Sequence, residues 1–140
     1  MKLLVFFVVG LTVCWAAFVV EEKCAKDQKL ERDDIVKISR ESNTPEDNET
    51  YGKYYLCVWK GRGIMNEKDA FVKEPITVLL NEVFFIRTLA NETKEKIISK
   101  IDQLCVPIHA EKSEQTALKF KNCLIGVINE NKISAIPQKE

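Results

Sequence analysis

Apolar residues in this chain recur at spacings of three and four, and nearly every segment beyond residue 20 reads as helix. Glu21 to Leu30, with Cys24 and Ala25 one turn before Gln28 and Lys29, predicts a short, partly exposed first helix. A second begins near Asp33-Asp34 and sets Ile35 and Ile38 on one side. Ser42 to Thr50 is polar, and its Thr44-Pro45-Glu46-Asp47 run predicts only a turn. Tyr51, Tyr54, Tyr55, Val58 and Trp59 then put an aromatic stripe on a third helix, which Gly61 and Gly63 stop.

A connector from Ile64 to Glu74, with Met65, Phe71 and Val72 as its other apolar residues, leads to Pro75 in the first turn of a fourth helix. That helix carries Val78, Leu79, Leu80, Val83 and Phe84. Asn91 is the expected cap of a fifth helix whose Ile97, Ile98, Ile101, Leu104 and Cys105 form a buried side, with Pro107 soon after. Ser113 is the expected cap of a sixth, with Ala117, Leu118, Phe120, Leu124, Val127 and Ile128 as its apolar positions. Ile133 to Pro137 reads as a tail lying back over the domain. The fold class is all-α, one domain of about six helices.

The first twenty residues follow a different rule. One Lys2, an unbroken apolar run from Leu3 to Val13, and the small residues Cys14, Ala16 and Ala17 before Glu21-Glu22 read as a signal peptide cleaved near Ala16 or Ala17. The domain then runs over residues 17–140, the product is secreted and extracellular, and Cys14 leaves with the leader. No second apolar stretch of that length exists, so stable membrane insertion of the mature chain is not expected. The 21 basic residues match the 21 acidic ones, which argues against a nucleic-acid partner drawn by bulk charge.

Four cysteines remain: Cys24, Cys57, Cys105 and Cys123. An even number on an oxidising route points to two structural disulfides, although spacing does not choose among the three connectivities. No close cysteine pair of the metal-binding kind is present, so no metal site or cofactor is expected. One histidine, His109, and helix-face acids supply no base–nucleophile constellation, so no catalytic residue is assigned and the chain does not read as an enzyme. His109 is instead a candidate pH-responsive group. Asn48-Glu49-Thr50 and Asn91-Glu92-Thr93 are N-glycosylation sequons, with Asn48 and Asn91 as acceptors.

This cysteine pattern resembles the insect odorant-binding protein family, in its four-cysteine Minus-C branch. The family's full pattern has six cysteines, the second and third separated by three residues and the fifth and sixth by eight. Here Lys53 stands at the second position, three residues intervening before Cys57, and Glu114 at the fifth, eight residues intervening before Cys123. The resemblance identifies Cys24, Cys57, Cys105 and Cys123 with the first, third, fourth and sixth cysteines. It implies the bridges Cys24–Cys57 and Cys105–Cys123, the first contributing about 3–4 kcal/mol by chain entropy. One departure is the stretch between Cys57 and Cys105, longer than the family usually has.

The resemblance also implies an apolar cavity inside the helices, used to carry small hydrophobic molecules such as odorants, pheromones or fatty acids. The residues expected to line it are Tyr54, Tyr55, Val58, Trp59, Leu79, Leu80, Val83, Phe84, Leu118, Phe120, Leu124 and Val127, with a tyrosine hydroxyl orienting a polar group and Trp59 a rigid wall. A membrane receptor or a second copy of the chain is the further candidate partner. The competing reading is a secreted helical interaction protein, such as a toxin, antagonist or defence factor, acting through its surface.

Overall fold

Local capping and left-handed turns set where these helices start and stop. The computed structural model describes residues 18–85 and 89–131; the expected leader and the Ile133 to Pro137 tail lie outside them. Helix α1 (18–27) ends in a Schellman turn: Lys29 takes φ 55°, its N–H reaches the Lys26 carbonyl at 3.1 Å, and Leu30 N–H reaches Ala25 at 2.9 Å. Helix α2 (Arg32–Ile38) starts one residue before the acidic pair, and the Asp34 carboxylate accepts from the Glu31 N–H at 3.3 Å.

Helix α3 (Glu49–Gly61) is capped by Asn48, whose side-chain oxygen accepts from the Tyr51 N–H at 3.0 Å. A second Schellman turn closes it, with Gly63 at φ 72° and Ile64 N–H on the Trp59 carbonyl at 2.8 Å. Gly63 therefore terminates the helix. Gly61 serves another purpose: a Cβ there would come within 2.6 Å of Val20, so its smallness lets α1 approach.

Helix α4 (Lys73–Phe85) carries Pro75 in its first turn, where a missing N–H costs no helical bond. Ile76, Leu80 and Phe84 form its buried row, and Val78, about 200° round the helix from Ile76, is exposed. Helices α5 (Asn91–Leu104) and α6 (Ser113–Glu130) follow. The expected caps of these two are corrected: Asn91 and Ser113 are the first helical residues, and Ala90 and Lys112 precede them without a side-chain cap bond. At α6 the Ser113 hydroxyl donates to the Asp69 carboxylate instead, and the Thr116 hydroxyl accepts from the Ala110 N–H at 2.9 Å. Leu104 is also exposed rather than buried, because the stripe drifts along Ile97, Ile101 and Cys105 in steps of four and leaves it at the trailing edge.

Among the described residues the architecture is all-α; the one pairing of extended backbone is the Met65–Phe71 bridge. Helix α6 lies between α3 and α5, and α4 packs on α5. The disulfides are those the resemblance implied: Cys24–Cys57 joins α1 to α3 with Cα atoms 5.7 Å apart, and Cys105–Cys123 joins the end of α5 to α6 at 5.6 Å. A solid core gathers around Phe120, which stacks on Phe71 with centroids 4.0 Å apart and meets Trp59 edge-on at 5.5 Å. Ile97, Ile101, Ala117 and Leu118 are likewise fully buried.

Candidate functional site

On the opposite side of α6 the helices surround a space that is open to solvent along one rim. Val20 packs on Gly61 and Cys24 bonds to Cys57, so α1 runs antiparallel to α3. Between them, and under α2 and α4, lies a cavity of about 1010 Å³. Helix α3 supplies Tyr54, Tyr55, Val58 and Trp59 to its wall, and α4 supplies Leu79, Leu80 and Val83. Phe18, Ala25, Leu30, Ile35 and Val36 come from α1, α2 and the turn between them, and Leu124, Ile125 and Ile128 from α6.

Helical rotation explains which of the expected lining residues meet this space. Leu124 and Ile128 share a sector of α6 with Lys121 and Ile125, whereas Phe120 and Val127 turn toward the side that carries Cys123 and its bond to α5. Leu118 shares the angular sector of Ile125 but sits two turns earlier, beyond the end of the cavity. Phe84 continues the core row of α4, while Leu79 and Val83 form the row beside it. Phe84, Leu118, Phe120 and Val127 are thus buried in the solid core and do not line this cavity.

The wall is ordered by its aromatic residues. Tyr54 and Tyr55 meet edge-on at 5.0 Å, and Tyr55 and Trp59 lie 5.4 Å apart. The Trp59 indole N–H donates to the Ala117 carbonyl at 3.1 Å, which fixes the ring between cavity and core. The Tyr55 hydroxyl shares a hydrogen bond of 3.0 Å with Ser39. Burial pushes both tyrosine hydroxyls well above the ordinary phenol range, so they stay neutral.

Of the cations that line the cavity, Arg62 and Lys121 are the two withdrawn from solvent, and each is held. Arg62, whose side chain is 9% exposed, lies 3.2 Å from Glu21 and 2.8 Å from Glu82. Partial burial, with Glu82 nearby, raises the Glu21 carboxyl above its usual range against the pull of Arg62. Lys121, 1% exposed, donates to the carbonyls of Ile38 at 3.1 Å and Glu41 at 2.8 Å and to the Thr44 hydroxyl. Burial lowers its pKa to about 8. These contacts, with the reciprocal bonds between Asn122 and Thr44, strap the loop after α2 onto α6.

A comparison with protein families finds the PBP/GOBP family matching residues 17–126. The chain belongs to the PBP/GOBP family. A comparison with curated proteins gives no match. Within this PBP/GOBP domain, Lys53 and Glu114, the residues that the resemblance sets at the second and fifth cysteine positions, stand near the starts of α3 and α6. Lys53 pairs with Glu49 at 2.7 Å, and Glu49, with Glu114 farther off, holds its ammonium above the ordinary range. Glu114 packs on Gly52, where a Cβ would meet that of Glu114 at 2.9 Å. The starts of α3 and α6 therefore touch.

Sequence reasoning missed the contribution of α1 and α2 to the wall, and it missed Arg62 and Lys121. A signal existed for the lysine, which interrupts the apolar row Ala117, Leu124, Ile128 in helical register. None existed for Arg62, whose partners come from two other helices. His109 does not line the cavity; it lies near Asp69, whose carboxyl is held below the usual range first by the Ser113 hydroxyl and then by Lys60 at 3.2 Å.

Proposed function

We propose that this protein is a secreted carrier that takes up small hydrophobic ligands, of the odorant, pheromone or fatty-acid kind, in the cavity beneath α1 and α2. The observation that carries the reading is a half-open cavity of about 1010 Å³ with an aromatic and aliphatic wall and a charged rim, at the upper end of the range for small-molecule sites. Burying apolar ligand surface there yields about 25 cal/mol per Å² before the costs of association. Tyr54, Tyr55, Val58, Trp59, Leu79, Leu80, Val83 and Leu124 are the side chains assigned to that contact. Secretion is supported by the two disulfides and by a family match that begins at residue 17, directly after the apolar leader. No helix among the described residues is long and apolar enough to cross a membrane. With Lys53 and Glu114 at the open cysteine positions, the protein falls in the four-cysteine branch of its family.

Displacement of an environment-sensitive apolar fluorophore from the oxidised protein tests the proposal. Saturable competition at one site by volatiles or fatty acids is the expected result. Failure of correctly oxidised protein to bind probe or ligand would replace the carrier with a helical protein acting through its surface.

A further inference from the structure

The polar groups facing the cavity divide into those already engaged and those left over. Lys121 has three protons and three acceptors, so none remains for a ligand. Arg62 is flanked by two carboxylates, and its single positive charge is over-compensated by Glu21 and Glu82. The Trp59 N–H is spent on Ala117. In contrast, no side-chain hydrogen bond engages the Tyr54 hydroxyl among the described residues, and Tyr55 and Ser39 use only one of their two hydroxyl protons on each other. Among the described residues the interior therefore offers free hydroxyl donors and acceptors but no buried cation free for an anion: the Lys121 charge has no carboxylate partner, yet its three protons are spent. The remaining basic groups, Lys26, Lys29 and Arg32, lie at the exposed rim among Glu22 and Glu31, where solvent screens them; Lys26 is paired with Glu22 at 3.1 Å.

A carboxylate entering this interior would lose its hydration, find the Lys121 protons already taken by neutral acceptors, and meet the excess negative charge around Arg62. An alcohol, ketone or ester would bring no charge and would complete the open hydroxyls. Building on the carrier reading, we infer that the cavity selects neutral oxygen-bearing ligands over carboxylates of the same chain length, with Tyr54 and the Tyr55–Ser39 pair as anchors and Arg62 withheld from anions by Glu21 and Glu82. Tyr54, Ser39, Glu21 and Glu82 are then specificity-determining residues, and Glu82 acts through Arg62 rather than by touching the ligand.

The test is fluorophore displacement at neutral pH by dodecanol, a dodecanone and dodecanoate. The alcohol and ketone are expected to bind about tenfold or more tightly than the acid, the ratio that a single lost charge-compensating contact produces. Tyr54→Phe combined with Ser39→Ala should weaken dodecanol several-fold, by about the worth of one or two hydrogen bonds, and so narrow its lead over dodecanoate. Glu21→Gln with Glu82→Gln frees Arg62 and should tighten dodecanoate about tenfold relative to dodecanol. Equal displacement by dodecanoate and dodecanol from the unaltered protein overturns the inference, needs no variant to fold, and leaves the carrier standing. An unchanged dodecanoate affinity in the folded double glutamine variant also overturns it. Saturable fluorophore binding that no ligand displaces removes the carrier reading and this inference together.

Discussion

Helix α6 has two apolar sides of similar composition and opposite fate. Toward α5 and the Met65–Phe71 connector, Phe120 and Val127 meet rings and branched chains that fill the space, with Phe71 stacked at 4.0 Å and Ile97 and Ile101 fully buried. Toward α1 and α2, Leu124, Ile125 and Ile128 face a cavity. The difference lies in what stands opposite. The filled side has α5 with its isoleucine stripe and the connector with its phenylalanine. The hollow side has a helix of seven residues, a turn through the left-handed Lys29, and an α1 whose inner positions include Glu21 beside Ala25. Short elements with small or charged inner residues hold the wall at a distance that α6 and α3 do not bridge. An apolar helix face thus becomes core or cavity according to its neighbour's reach, not its own composition.

Substitutions on the two sides should break in different currencies. Phe120→Ala removes a stacked, fully buried ring and is expected to cost about 3–5 kcal/mol in denaturant unfolding. Leu79→Ala, which enlarges a space that already exists, should cost only about 1 kcal/mol of stability, because the lost atoms had fewer neighbours, yet weaken apolar ligands about three- to tenfold. Equal loss of stability in the two variants would show that the cavity wall is as tightly packed as the core.

The disulfides sharpen the contrast, since each serves one side. Cys24–Cys57 closes a separation of 33 residues and Cys105–Cys123 one of 18, so chain entropy assigns about 3–4 kcal/mol to each. The consequences should nevertheless diverge. Replacing Cys24 and Cys57 by alanine releases α1 from α3 and should weaken ligand binding and raise amide exchange in α1 and α2 first. Replacing Cys105 and Cys123 should lower global stability with a smaller change in affinity. Hydrogen exchange followed along the chain, with and without ligand, separates the two; identical protection maps would mean that α1 is not independently tethered.

A smaller effect belongs to Lys121, the one buried cation on the hollow sector of α6. Its pKa falls from 10.5 to about 8 on folding, because burial disfavours the charge. Below about pH 8 both states are protonated and the native state bears the full cost; as the pH rises toward 10.5 the unfolded chain still binds a proton that the native chain has released. Stability from this group therefore increases with pH across that window, by about 1–2 kcal/mol over most of it. Lys121→Met should abolish the rise, while leaving the Ile38 and Glu41 carbonyls without a donor. Unfolding curves of both proteins across the window give the comparison, and parallel pH profiles would show that the lysine keeps its ordinary affinity for protons.

The helices themselves were legible along the chain. Spacings of three and four in Tyr51 to Trp59, Ile97 to Ile101 and Ala117 to Ile128 mark faces that must leave water, and Gly63 and Pro75 mark a stop and a start for reasons internal to the backbone. Even the finding that four cysteines form two bridges followed from number and context, while their pairing needed the resemblance and was then met in the fold. Where Asn91 and Ser113 misled, the helix start was satisfied by other groups: at α6 Ser113 turned to Asp69, forty-four residues away, and Thr116 served the backbone in its place. The division of the buried face into Phe120 in the core and Leu124 on the cavity was invisible for the same kind of reason. Periodicity reports the direction in which a side chain points, a property of one helix; whether it meets another atom depends on the length and placement of a second. The paired state of Arg62 and the three acceptors around Lys121 likewise exist only where α1, α2 and α4 close upon α3 and α6. Local backbone geometry thus determined the helices, and tertiary contact alone decided where they leave a space and what charge that space holds.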